Sequence, residues 1–369
     1  MSSHKTVFNL LHSVQRGGIE SMFVAYTKLL GQLGYKVICI VPDNFCNKEQ
    51  LLNIDCIIEH IDIKNYFDVP SAWYLRKLIT KYQPSYLISH NGRSHSLINL
   101  WQVLFSFKKK NQLQTVGVCH GCMKRMLKLD KIICVNNTLV TQFQQLGYQG
   151  TLNSVPCFLS TTINSSTHQL INSSTHQLIN SLPKNHSSDF VFGVLGRLSE
   201  EKNTGLAVDA LAEINLQYPT TKFKLFIAGD GKCKNEIIAK INTHNLQDKV
   251  ILCGWIKDIN QFFNMIDVLL LPSIRESFGC VILEAFQYET PVIASNVDGP
   301  SQIIKHNENG LLFESNNLPQ LVAEMVKLWT SPDISKRLTI SGKESLLTHY
   351  TEVAVKQKLQ KILTIEDKL

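Results

Sequence analysis

The chain alternates short apolar runs with longer segments of helical periodicity, and this alternation constrains its fold more than any other feature. Runs such as Lys36–Val41 and Tyr86–Ser89 are separated by helical patterns such as the one near 19–33. Apolar strands with a helix between each pair are typical of a parallel sheet that is covered on both faces. Because the alternation resumes at Phe190–Leu195, the sequence predicts an α/β protein with two doubly wound parallel sheets in tandem.

The length of 369 residues also favours two domains. Residues 163–178 consist of the unit Ile-Asn-Ser-Ser-Thr-His-Gln-Leu written twice. Two polar copies of eight residues cannot stack into a core, so we interpret them as an insertion in a surface connection. The predicted division is a first domain over 1–158 that a C-terminal helix at about 350–369 completes, a connection over 159–188, and a second domain over 189–349.

The ten cysteines are scattered, and several lie inside apolar runs, as buried thiols do. Cys119 and Cys122 form the one close pair, but no second pair follows at the spacing of a zinc site. The first apolar run is too short for a secretory signal, and no stretch approaches the roughly 18 apolar residues of a membrane span. We therefore expect a cytoplasmic protein, or one held peripherally on the inner face of a membrane.

A turn with two cations follows the predicted strand Phe190–Leu195. Gly196 and Arg197 open it, and Lys202 comes five residues after Arg197, just before a predicted helix. Two cations and the free amides of a helix start at one strand end suit a diphosphate. In isolation, such cations would more simply be solvated surface residues.

A second turn, after the predicted strand Val268–Pro272, carries two carboxylates. Glu276 precedes the turn residue Gly279, and Glu284 lies inside the helix that follows. Glu276 can accept hydrogen bonds from sugar hydroxyls, while Glu284 can reach a ribose diol. The amides near Gly279 face the space between them, and glycine allows a ligand to approach the backbone closely.

These motifs and several others occur in one order along nearly the whole chain, apart from the repeat. They are Gly17-Gly18-Ile19-Glu20, Gly196-Arg197-Leu198 with Lys202, Ala228-Gly229-Asp230-Gly231, Glu276-Ser277-Phe278-Gly279 through Glu284, Pro291-Val292 and Asn309-Gly310-Leu311-Leu312. Together they resemble glycosyltransferase family 4, the retaining nucleotide-sugar enzymes of bacterial lipopolysaccharide, capsule and glycolipid synthesis. The resemblance implies the GT-B fold, in which two Rossmann-like domains face each other across a cleft.

The resemblance also implies roles for individual residues. Arg197 and Lys202 would hold the diphosphate, Glu284 the ribose, and Glu276 a hydroxyl of the transferred sugar. The implied catalytic residues are Glu276, His120, Arg197 and Lys202. The implied donor-binding residues are Gly17, Gly18, Arg197, Lys202, Gly229, Ser277, Phe278, Gly279, Cys280 and Glu284. The acceptor candidates are His90, Asn91 and Arg93.

The implied reaction moves a hexose-type sugar from a nucleotide diphosphate sugar, the co-substrate, to a glycan or glycolipid acceptor with retention of configuration. No metal and no further cofactor are expected. Two alternatives stay open: a hydrolysing nucleotide-sugar epimerase of the same fold, and a non-catalytic nucleotide-sugar-binding paralogue. The second alternative rests on Glu289 and Gln302, which depart from the family pattern but leave the phosphate-binding and Glu276/Glu284 groups in place.

The net positive charge of the chain comes from its first part. Residues 1–160 hold 17 Lys and Arg against 8 Asp and Glu, whereas residues 189–369 hold 19 against 22. The apolar segment 97–107 leads into Lys108–Lys110, and a second basic group comprises Lys124, Arg125, Lys128 and Lys131. This pattern fits docking on an anionic membrane surface as well as it fits a buried helix with solvated lysines, and no nucleic-acid partner is expected.

Overall fold

The computed structural model describes residues 5–15, 17–105, 113–121, 123–159 and 189–364. These residues divide into two compact units. Unit 1 takes in the described part of Met1–Ser160 and Thr351–Leu369, and unit 2 the described part of Thr161–Tyr350.

Within its described residues, unit 1 is built on a sheet of parallel strands in the order β3-β2-β1-β4-β5-β6-β7. The strands are β1 (Thr6–Leu10), β2 (Lys36–Val41), β3 (Ile57–His60), β4 (Tyr86–Ser89), β5 (Gln114–Cys119), β6 (Lys131–Cys134) and β7 (Thr151–Ser154). The chain leaves β1 in one direction and returns to its other side at β4. The order therefore reverses between β1 and β4, the place where open α/β sheets bind ligands.

Helices connect these strands: α1 (Gly18–Gln32), α2 (Lys48–Leu52), α3 (Val69–Tyr82), α4 (Gly92–Phe105) and α5 (Asn137–Gln145), with a 3-10 turn at Lys124–Lys128. Local chemistry fixes the ends of α3. Asp68 accepts a hydrogen bond from the backbone N–H of Ser71 at its start, and Gln83 adopts a left-handed conformation at its end.

The described part of unit 2 holds a second parallel sheet, in the order β10-β9-β8-β11-β12-β13. Its strands are β8 (Asp189–Leu195), β9 (Lys222–Ala228), β10 (Val250–Gly254), β11 (Val268–Leu271), β12 (Val292–Ser295) and β13 (Leu311–Phe313). Its helices are α6 (Thr204–Gln217), α7 (Lys234–Thr243), α8 (Ile259–Phe263), α9 (Cys280–Gln287), α10 (Pro300–Ile303), α11 (Leu318–Thr330) and α12 (Pro332–His349), with a 3-10 turn at Glu200–Lys202. The strand order reverses between β8 and β11.

The last described helix, α13 (Glu352–Thr364), belongs to unit 1 and packs against the rest of it. Its buried Glu352 pairs with Lys28 on α1 at 3.2 Å. At its other end, Lys131 Nζ on β6 donates to the carbonyl of Ile362 at 2.9 Å. Lys131 is therefore buried and is not part of an exposed basic group, contrary to the sequence prediction.

The prediction of two doubly wound parallel sheets is confirmed. The sequence patterns did not indicate β3, β7 or β13, which lie at sheet edges: β3 and β7 carry only two and one apolar residues, and β13 has only three residues in all. Helix α4 begins at Gly92 rather than near 97, and its residues Leu97 and Ile98 are buried. The lysines at 108–110 lie outside the described residues. No helix in the described ranges is both long and apolar enough to cross a bilayer.

Candidate functional site

The loops after β8 and β9 are joined by a close backbone approach. The N–H of Gly196 donates to the carbonyl of Ala228 at 2.9 Å, and that of Leu198 to Asp230 at 2.9 Å. Gly229 has φ of 142°, and a Cβ at this position would lie only 1.8 Å from the carbonyl oxygen of Gly196. Glycine is therefore required at 229 by packing, whether or not this residue also contacts a donor.

This pair of loops carries the two cations. Arg197 is exposed, and Lys202 lies half-buried at the end of the 3-10 turn. The carbonyl of Glu201 accepts the N–H of Ile274 at 2.8 Å, which ties this loop to the one that follows β11. As a result, Lys202 Nζ donates a hydrogen bond to Glu276. The structure thus joins two predicted site residues from the loops that follow two different strands of unit 2, β8 and β11.

The loop with Glu276 is shaped by two glycines. Gly279 caps α9 with φ of 93°, a left-handed conformation that favours glycine. Gly299 donates its N–H to the carbonyl of Glu276 at 2.8 Å, and a Cβ there would lie 2.5 Å from the nitrogen of Phe278. Gly299 was not among the predicted site residues, although its neighbour Gln302 drew attention to this segment.

The other predicted residues of this loop differ in exposure. The ring of Phe278 is buried and meets Tyr350 edge to face at 6.0 Å, so the ring serves packing and is not offered to a ligand. Ser277 and Cys280 are half-buried, and Cys280 is the first residue of α9. The amides at this helix start are the groups that would face an anion.

Glu284 stands on α9, one turn after Cys280. Burial raises the pKa of its carboxyl to about 7, because the surroundings disfavour the charged form. No salt bridge to Glu284 occurs among the described residues. Its carboxyl thus differs from that of Glu276, which a lysine neutralises.

His120 directly follows β5, at the carboxyl ends of the strands in the sheet of unit 1. Burial lowers the pKa of its imidazole to about 4, so the ring is neutral at pH 7. Its Nε2 is buried and has no hydrogen-bond partner among the residues that the structure describes. A neutral imidazole with an unused nitrogen can exchange a hydrogen bond with a sugar hydroxyl.

The acceptor candidates have different surroundings. His90 is buried, stacks on His120 at 6.2 Å and donates from Nε2 to the side-chain oxygen of Asn9 at 2.8 Å. The side chain of Asn91 donates to the carbonyl of His12 at 2.7 Å and caps α4. Arg93 is the exposed member of the three and lies 3.3 Å from a ring nitrogen of His12. Asn9 was missed as a candidate, although a polar residue inside the apolar strand β1 was a usable signal.

The two glycines of the first loop stand at the start of α1. Gly17 precedes the helix in an extended conformation and accepts the N–H of Ser21 at 3.2 Å, and Gly18 is the first helical residue. The predicted residues therefore fall into one set on each unit. Unit 1 carries Gly17, Gly18, His90, Asn91, Arg93 and His120, and unit 2 carries Arg197, Lys202, Gly229, Glu276, Ser277, Phe278, Gly279, Cys280 and Glu284.

Comparisons with known proteins bear on this arrangement. Residues 178–345 match the family model described as Glycosyl transferases group 1. The lipopolysaccharide core biosynthesis glycosyltransferase LpsD of Rhizobium meliloti is 20% identical over 349 residues, which are 94% of each chain. The UDP-Gal:alpha-D-GlcNAc-diphosphoundecaprenol alpha-1,3-galactosyltransferase of Escherichia coli is 33% identical over 144 residues, 38% of this chain and 37% of that enzyme.

Solved structures share the whole fold at low sequence identity. HepE of Anabaena, in complex with UDP and glucose, superposes with a TM-score of 0.81 and 16% identity, covering 98% of this chain and all of that one. The sucrose-phosphate synthase of Thermosynechococcus elongatus gives a TM-score of 0.77 at 17% identity over 97% of this chain and 98% of its own. These likenesses concern the fold, whereas the family match concerns the segment that holds Lys202, Glu276 and Glu284. The protein is therefore a glycosyltransferase with the GT-B fold, and its residues 178–345 match the model of the group 1 glycosyl transferases.

Proposed function

We propose that the protein transfers a hexose-type sugar from a nucleotide diphosphate sugar to a glycan or glycolipid acceptor, with retention of configuration, in the synthesis of a cell-envelope polysaccharide or lipopolysaccharide. The observation that carries this proposal is the contact between Lys202 and Glu276, which lies beside the helix that bears Glu284. Lys202 supplies a cation for the diphosphate, Glu276 a carboxylate for a hydroxyl of the sugar, and Glu284 a second carboxylate for the ribose.

The contact implies an exchange of partners when a donor binds. A diphosphate carries more negative charge than Glu276 and competes for the ammonium of Lys202, with Arg197 as a second cation. Glu276 then becomes free to accept hydrogen bonds from the hydroxyls of the sugar. In the reaction, Lys202 and Arg197 stabilise the charge that develops on the leaving diphosphate.

Different arguments support the proposed class of acceptor and the proposed retention of configuration. LpsD and the galactosyltransferase from Escherichia coli are named for work on lipopolysaccharide and on a lipid-linked sugar, respectively. We assign the present chain an acceptor of the same broad class. For retention, we propose a front-face reaction in which the leaving phosphate itself takes the proton of the acceptor hydroxyl. This route needs no carboxylate nucleophile of the kind that retaining glycosidases use.

A two-stage experiment tests the proposal. A panel of UDP and GDP sugars is first screened by thermal shift, because a donor at about 100 times its Kd stabilises the folded state by about 2.7 kcal/mol. The donor that binds is then incubated with oligosaccharide and lipid-linked acceptors, and the anomeric configuration of the product is determined by NMR. Product of the same configuration as the donor is expected.

Other outcomes contradict the proposal in distinct ways. Conversion of the free nucleotide sugar without an acceptor would identify an epimerase. Binding without turnover over the whole acceptor panel would identify a non-catalytic paralogue. An inverted product would leave the donor site intact but exclude retention.

A further inference from the structure

Helix α3 of unit 1 exposes a row of aromatic and basic side chains. Trp73, Arg76, Lys77, Thr80 and Lys81 recur at the three- and four-residue spacing of one helix face, and together they line a surface depression of about 410 Å³. The opposite side of α3, with Ala72, Leu75 and Leu78, is buried against the unit. We call the row of five residues the α3 face.

Two aromatic side chains are strongly exposed, one on the α3 face and one in the loop just before the helix. The side chain of Trp73 is 51% exposed, and Phe67, in the loop that leads into α3, is 81% exposed. Tryptophan and phenylalanine are the residues that enter the interfacial layer of a bilayer. An exposed tryptophan, with a further exposed ring six residues earlier in the chain, is the kind of apolar surface that marks an interaction site.

Two of the three cations of the α3 face lack an acidic partner among the described residues. The guanidinium of Arg76 lies over the rings of Trp73 and Phe105, at 5.2 and 4.8 Å from their centroids. Among the described residues no carboxylate forms a salt bridge with Arg76 or Lys77, whereas Lys81 pairs with Glu59 at 3.1 Å. The face therefore presents two uncompensated positive charges beside an exposed aromatic ring.

We propose that the α3 face docks the protein on an anionic phospholipid bilayer, with Trp73 entering the interface and Arg76 and Lys77 meeting the lipid phosphates. The mixture of rings and unpaired cations matches the chemistry of such a surface. A second copy of this chain is a poorer occupant, because a symmetric contact would bring Arg76 and Lys77 of both copies together. A neutral glycan would leave the same cations without a partner.

Vesicle flotation of the full-length protein tests this inference. The vesicles contain either phosphatidylcholine alone or phosphatidylcholine with about 30% phosphatidylglycerol, at about 0.1 M salt. We expect flotation only with the anionic vesicles, and a bound fraction lowered about fivefold or more in Arg76→Gln/Lys77→Gln and in Trp73→Ala.

Matched controls are available on unit 2. Lys336→Gln/Arg337→Gln removes the same two charges from the exposed side of α12, and Trp255→Ala removes a ring that is 45% exposed. Both controls should float like the wild-type protein. A melting curve for each variant separates lost docking from lost folding.

Three results would overturn the inference. The first is equal flotation on neutral and anionic vesicles. The second is an equal loss of flotation in the α3 variants and in their controls. The third is that the vesicles are not bound and Trp73 is instead needed for a dimer or for a complex with a neutral polysaccharide. None of these readouts depends on sugar transfer, so the proposed reaction is tested separately.

Discussion

Lys202 donates a hydrogen bond to Glu276 although 74 residues separate them in the chain. Both side chains are largely withdrawn from solvent, with 27% and 13% of their surfaces exposed. An ion pair in such surroundings resists screening, and removing one partner leaves the other charge uncompensated.

Replacing Lys202 or Glu276 by Ala should raise the activation barrier of sugar transfer by about 3 kcal/mol, because each replacement removes a preorganised polar group. The measurement is acceptor-dependent release of nucleoside diphosphate. Lys232→Ala is the matched control, since Lys232 forms an exposed pair with Glu200 at 2.7 Å on the neighbouring loop. Wild-type turnover in either site variant would remove that residue from the assigned site.

The carboxyl of Glu284 should make stability depend on pH. Its folded-state pKa of about 7 lies above the ordinary value of 4.5, so the folded protein holds a proton that the unfolded chain releases. The free energy of unfolding should therefore fall as pH rises from about 4.5 to about 7, and the penalty should persist above pH 7.

Glu284→Gln abolishes this titration. We expect it to stabilise the protein by about 2 kcal/mol at pH 8 and by little at pH 4, as measured by denaturant unfolding. Glu344→Gln, on the exposed surface of α12, is the control. A variant that is less stable than wild type at pH 8 would contradict the assigned burial of the charge. If Glu284 binds a ribose, the same variant should also weaken UDP binding, which isothermal titration would show.

His120 should act as a neutral hydrogen-bonding group rather than as an acid that titrates near neutrality. Because burial holds its pKa near 4, the pH profile of sugar transfer should show no step from this residue between about pH 5 and pH 8. His120→Ala should lower turnover by about tenfold or more, and His120→Gln should restore part of it. His349→Ala, on the exposed end of α12, should have no effect. A profile in which a step near pH 6.5 disappears with His120→Ala would refute the neutral assignment.

Gly229 and Gly254 allow a comparison of steric and conformational costs. Both have positive φ, but a Cβ at 229 would collide with the carbonyl of Gly196, whereas a Cβ at 254 meets no atom within 4 Å. Gly254→Ala should cost about 1–2 kcal/mol from the backbone conformation alone. Gly229→Ala should cost clearly more and disturb the loop of Arg197. Thermal unfolding measures both, and equal losses would argue against the close approach of the two loops.

The sequence determined the fold class and the identity of the groups. Alternation of apolar runs with helical patterns depends on local periodicity, which survives without knowledge of tertiary contacts. The order of the glycine and charge motifs likewise indicated the family. The edge strands β7 and β13 were not predicted, because β7 carries one apolar residue and β13 has only three residues, which is too little periodic signal.

Only the tertiary structure decided how the side chains are used. Lys131 and Arg76 look alike in sequence, yet one is buried under α13 and the other lies exposed over two aromatic rings. Similarly, the loop contacts of Glu201 and Gly299 bring Lys202 onto Glu276. Burial raises the pKa of Glu284 above that of an ordinary carboxyl. Burial and long-range contacts set the strength of electrostatic interactions, and neither is written in local sequence.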